Sequence, residues 1–83
     1  MPYRIEFSPA ASRQLEALPR QIQIRISARI DALSTNPRPP GVKKLRVSTL
    51  YRIRIGDYRV MYNVKDADQL IQVALVKHRR EAY

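Results

Sequence analysis

The sequence predicts a small α+β domain: an antiparallel sheet with an N-terminal helical hairpin packed on one face. Three observations carry that expectation. "YRIRIGDYRV", residues 51 to 60, alternates on both sides of Gly56-Asp57, the pattern of a β-hairpin closed by a two-residue turn. Ile22, Ile26, Ile30 and Leu33 recur at helical spacing. "QLIQVALV", residues 69 to 76, is a nearly continuous apolar run, as a strand with neighbours on both sides requires. The 83 residues are enough for one core, so 1–83 reads as a single domain.

The remaining elements follow in order. "YRIEF", residues 3 to 7, alternates as a strand does. Ser8-Pro9 supplies an N-cap and a first helical position, and Ala11, Leu15 and Leu18 continue at helical spacing until Pro19 breaks the run. "IQIRI", residues 22 to 26, alternates like a strand, but the stripe that continues to Ile30 and Leu33 makes it helix and leaves Ile24 exposed on the opposite side. "TNPRPPGV", residues 35 to 42, is a stiff loop too short to link domains. "KKLR" leads into the hairpin at 49 to 64. "KDAD", residues 65 to 68, is a second turn before the last strand. The first strand must join a sheet edge or pair with that last strand.

The hairpin sorts its side chains. If Ile55 pairs with Tyr58, Arg54 lies opposite Arg59 and Ile53 opposite Val60. Tyr51, Ile53, Ile55, Tyr58, Val60 and Tyr62 then form a core face, while Arg52, Arg54 and Arg59 share the other. Like charges directly opposite cost roughly 0.2–1 kcal/mol. A phosphate chain would offset that cost, because the planar guanidinium fork matches phosphate oxygens. The tail adds Lys77, His78, Arg79 and Arg80, while Asp57, Asp66 and Asp68 fall in turns and are expected to lie away from this face.

Composition agrees. Sixteen Lys+Arg against seven Asp+Glu give a net charge of +9 and a pI near 10.7, which points to a polyanion or an acidic protein as partner. With no cysteine there is no disulfide framework and no thiolate metal site, and a single His rules out a multi-His site. No cofactor is called for. No apolar run reaches membrane length, and "MPYRIEFS" lacks a signal-peptide layout, so the cytoplasm is the expected compartment.

Such a face could also support RNA cleavage by the substrate's own 2′-hydroxyl. That reaction needs a base for the 2′ proton, cations for the five-coordinate phosphorus, and a donor for the leaving 5′ oxygen. Arginine serves only the second task, since it does not deprotonate. The groups that could move protons are His78, Tyr83, Lys77, Lys43, Lys44 and the terminal carboxylate. Histidine is the side chain that ordinarily titrates near neutrality.

"LYRIRIGDYRVMYNV" followed by "HRREAY" resembles the RelE-type toxins of bacterial toxin–antitoxin pairs, and the similarity runs through nearly the whole chain. The resemblance implies a RelE-like fold and a small ribonuclease that enters the ribosomal A site and cuts translated mRNA. It also implies a cognate antitoxin that wraps the toxin. By motif it carries catalytic roles to Arg52, Arg54, Arg59, Arg79 and Tyr83, with His78 as a further proton carrier. Lys43, Lys44, Arg46, Lys77 and Arg80 are the cations expected to hold RNA or ribosome phosphates. Two departures stand out: lysines often occupy the positions of Arg52 and Arg54, and Val47 stands where a glycine is usual. The alternative is the ParE-type branch of the same fold, which inhibits DNA gyrase by binding it and has no chemistry of its own.

Overall fold

The computed structural model describes residues 2–46 and 48–81; Val47 and Tyr83 lie outside the described residues. The chain runs β1 (Arg4–Phe7), α1 (Pro9–Glu16), α2 (Arg20–Ala32), β2 (Lys43–Lys44), β3 (Tyr51–Ile55), β4 (Tyr58–Lys65) and β5 (Leu70–His78), with short 3-10 turns at Asp66–Asp68 and Arg79–Glu81. The sheet order is β1-β5-β4-β3-β2. Two features correct the sequence expectation. The sheet is mixed, because β1 pairs with β5 in parallel, Arg4 opposite Leu70 and Phe7 opposite Val73. Lys43 and Lys44 also form a fifth, two-residue edge strand.

Both helices start where local chemistry sets them. The Ser8 hydroxyl accepts the Ala11 N–H at 3.0 Å, capping α1, and Pro9 occupies its first turn, where no N–H is needed. Ala11, Leu15 and Leu18 of the first helical segment and Ile22, Ile26, Ile30 and Leu33 of the second meet Ile53, Ile55, Val60, Tyr62, Ile71, Val73 and Val76 in one core. The helices therefore cover one sheet face, and at roughly 25 cal/mol per Å² that burial is the main force holding the domain together. Ile24 is 60% exposed, as its position off the stripe requires.

β1 covers β5 only as far as Val73. Beyond it α1 takes over the edge: the Ser8 hydroxyl donates to the Ala74 carbonyl at 2.8 Å, and the Gln14 Oε1 accepts the Val76 N–H at 2.7 Å. Backbone groups that would otherwise be orphaned are thus satisfied by side chains.

The Pro-rich loop is fastened to the sheet. Tyr62, fully buried, donates its hydroxyl to the Pro37 carbonyl at 2.6 Å. Arg38 grips both Asp66 oxygens at 3.2 and 2.8 Å, donates to the Tyr51 hydroxyl at 3.0 Å and lies over the Tyr51 ring. Tyr3 adds a third bond to Asp66 at 2.6 Å. Arg38 and then Tyr3 hold the Asp66 carboxyl below its usual range, while burial pushes the Tyr62 phenol up to about 12.

Candidate nucleic-acid interface

The hairpin register is the one the sequence predicts: Tyr51 opposite Tyr62, Arg52 opposite Met61, Ile53 opposite Val60, Arg54 opposite Arg59 and Ile55 opposite Tyr58. Gly56 makes this possible. Its φ of +61, followed by an Asp57 without positive φ, fits a type II′ turn. A side chain there would also crowd the Arg25 guanidinium, 3.4 Å from the Cβ position. With Ile53 and Ile55 buried among the helices, Arg54 projects from the opposite face and is exposed.

A β-bulge decides which residues of β5 join that face. Met61 pairs with Leu75 but Tyr62 pairs with Val73, so Ala74 is an extra residue. The alternation shifts by one. Ile71, Val73 and Val76 all reach the core, Lys77 lands opposite Arg59 on the arginine face, and His78 lands opposite Tyr58 on the helix side. Without the bulge the last two would exchange faces.

The tail then folds back. The Arg79 N–H donates to the Asp57 carbonyl at 2.8 Å, and the Arg79 guanidinium stands 3.9 Å from the Asp57 carboxylate. This brings Arg54, Arg59, Arg79 and Arg80 around one depression of about 360 Å³, completed by Gly56, Asp57 and Tyr58. Asp57 was expected away from this face. It lines it, because the turn that aligns the hairpin is also where the tail lands.

The other expected residues distribute as follows. Arg52 and Lys43 face each other across β3 and β2 and line a second depression, which Arg54 shares. Lys44, opposite Tyr51, alternates to the far side from Lys43. Arg46 lies exposed in the loop before β3. His78 does not line the arginine depression: its ring stands edge-on to Tyr58 at 5.0 Å, and its Nδ1 accepts the Arg80 N–H at 3.1 Å. A neutral His78 therefore carries its proton on Nε2. The sequence reading missed Arg25 and Arg29. Their i, i+4 spacing on one flank of the Ile26/Ile30 stripe was the available signal.

Geometry thus defines a class: a small basic α+β domain that gathers arginines at the turn end of an open sheet face. Comparison with known proteins places it. A family model described as the ParE toxin of type II toxin–antitoxin systems, parDE, matches residues 5–83. A curated relative, the putative toxin RelE1 of Methanocaldococcus jannaschii, is 32% identical over 87 residues, covering 100% of this chain and 97% of the relative. The toxin RelE of Mycobacterium tuberculosis is 31% identical, covering 99% and 87%. Among solved structures, the archaeal RelE–RelB complex from Pyrococcus horikoshii matches with a TM-score of 0.85 and 34% identity, covering 99% of this chain and 100% of that one. The chain belongs to the RelE/ParE family of type II toxin–antitoxin toxins. No helix among the described residues is long and apolar enough to cross a membrane.

Proposed function

We propose that this toxin is an endoribonuclease that cuts translated mRNA in the ribosomal A site. The 2′-oxygen attacks the adjacent phosphorus, the bond to the 5′ oxygen breaks, and the 2′ proton is balanced by one delivered to the leaving oxygen. The observation that carries this reading is the convergence of Arg54, Arg59, Arg79 and Arg80 on one depression. Cations so placed stabilise the charge of five-coordinate phosphorus. Arg52 joins them as a catalytic cation, His78 and Tyr83 are the proposed proton carriers, and Lys43, Lys44, Arg46, Lys77 and Arg80 are the RNA or ribosome contacts. With the His78 Nδ1 lone pair engaged by the Arg80 N–H, no imidazole base lines the depression among the described residues. Positioning by the ribosome must supply the difference, and ideal positioning is worth roughly 7–11 kcal/mol. The site of action is the cytoplasm, where ribosomes are.

The partner is a cognate antitoxin, as RelB is for the RelE proteins of the matching complexes. Its binding segment should be acidic and amphipathic, order as it binds, and lose affinity as salt rises. Ile24 offers it an apolar anchor.

The test is to add pure protein to translating ribosomes and map mRNA ends by primer extension. New ends inside the translated region are expected, with little cutting of free mRNA at the same concentration. Efficient cutting of free mRNA would remove the ribosome from the mechanism. The family model's ParE description favours one second reading, gyrase binding without chemistry. Inhibition of gyrase supercoiling with intact mRNA would establish it.

A further inference from the structure

A second depression adjoins the proposed cleavage depression at the open edge of β3, where the arginine face meets the helix side. It lies on the other side of Arg54, has a volume of about 410 Å³, and is lined by Arg29, Pro40, Gly41, Lys43, Arg52, Ile53 and Arg54. Its four cations come from three separate elements, α2, β2 and β3. No acidic side chain lines it, and among the described residues none of the four is in an ion pair. The contrast with the first depression is direct, since there Asp57 accompanies Arg79.

The backbone is arranged in the same sense. In a two-residue hairpin the pair flanking the turn exchanges both hydrogen bonds, so Ile55, Ile53 and Tyr51 turn their backbone groups toward β4. Arg52 and Arg54 turn theirs toward the other edge. Lys43 stands opposite Arg52, but β2 begins there and no strand partner faces Arg54. Two residues earlier Gly41, at φ +89, carries the chain aside and leaves open space at its Cβ position. Arg54 thus presents an outward backbone N–H to a concavity lined by four cationic side chains.

We propose that this depression is a second phosphate subsite, which holds the mRNA phosphodiester next to the one being cut. Arg52 and Arg54 are two residues apart on one strand, about 7 Å, close to the spacing of successive phosphates in an extended single strand. Arg54 stands between the subsites and ties them together. Arg29 and Lys43 are positioning residues: they hold the neighbouring phosphate and do not touch the scissile one. The assignment rests on the ribonuclease reading for its substrate, but its geometry is independent of the chemistry.

The experiment uses an oligoribonucleotide 2′-O-methylated throughout, which binds but cannot be cut, titrated into the free protein over a range of salt. Arg29→Ala and Lys43→Ala should each weaken binding roughly five- to tenfold and lower the salt slope by about 0.7. Arg29→Lys should recover most of the affinity, and melting temperatures should match wild type, since Arg29 is exposed. On translating ribosomes Arg29→Ala should raise KM by a similar factor while kcat changes less than twofold. Unchanged oligonucleotide affinity and slope in Arg29→Ala, with Arg59→Ala weakened, overturns the subsite and leaves the nuclease standing. Weakening confined to vacant ribosomes also overturns it and assigns these cations to ribosomal RNA. Arg29-dependent binding of the oligonucleotide by a protein that never cuts mRNA supports the subsite and removes the nuclease.

Discussion

Arg38 and Arg54 are the same side chain used in opposite ways. Arg38 is satisfied within the molecule: two bonds to Asp66, one to the Tyr51 hydroxyl, and a ring beneath it. Arg54 is exposed, faces Arg59, and is shared by two depressions without an ion pair among the described residues. One pins a loop to the sheet. The other is held against like charge by the hairpin that carries it. Net charge counts both equally, and only their partners tell the fastener from the exposed group.

The comparison breaks most visibly in cleavage. Arg59→Ala and Arg79→Ala should each slow ribosome-dependent cutting by about 10²–10³-fold, as loss of one transition-state donor does. Primer-extension time courses would measure it, and thermal melts should show no loss of stability. Arg59→Ala even removes a repulsion worth a few tenths of a kcal/mol. An unfolded Arg59→Ala would make the arginine face structural. Arg38→Ala is the mirror test: the melting temperature should drop by a few degrees, while cleavage stays within about twofold of wild type.

Next in size are the proposed proton carriers. If the Tyr83 hydroxyl moves a proton, Tyr83→Phe and Tyr83→Ala should both slow cutting by about 10²-fold. If the ring only stacks on a base, Phe should be nearly normal and Ala should lose about 1–3 kcal/mol of substrate interaction. His78→Gln, compared in the same assay, apportions the work between the two.

Smaller effects belong to the fastened region. Tyr62→Phe orphans the Pro37 carbonyl and should cost about 1–2 kcal/mol in denaturant unfolding. It should also change the alkaline limb. Because folding raises the Tyr62 pKa to about 12, its contribution is present below the ordinary tyrosine value near 10 and is lost as pH climbs from there toward about 12. The Phe variant should lack that loss. Asp66 works in the other direction. Its carboxyl is held low, so its contribution is present above the ordinary Asp value and disappears as pH falls through the lowered one. Asp66→Asn should flatten the acid limb of the melting profile.

Much of this was legible in the sequence, for identifiable reasons. Gly56-Asp57 marks a two-residue turn, and a turn of that length fixes every pair of the hairpin. Ser8-Pro9 and the isoleucine stripe fix the helices. What was hidden depends on distance or parity. A four-residue strand says nothing about direction, so the parallel pairing of β1 was invisible, as was an edge strand made of two lysines. The apolar run "LIQVALV" conceals its bulge, because both faces look acceptable there, and the bulge alone separates Lys77 from His78. The Tyr3–Asp66–Arg38 cluster joins positions 63 and 28 residues apart, with no local trace.

The pairing of β1 with β5 has one more consequence, for biogenesis. Ser8 and Ala74 are hydrogen-bonded across 66 residues, and Arg79 takes its place by binding Asp57 after β5 is laid down. A nascent chain that has emerged only through the hairpin has neither the sheet partner for its first strand nor the tail arginines. In a toxin of this architecture neither the edge strand nor the arginine depression can form until β5 and the turn that follows it have been made.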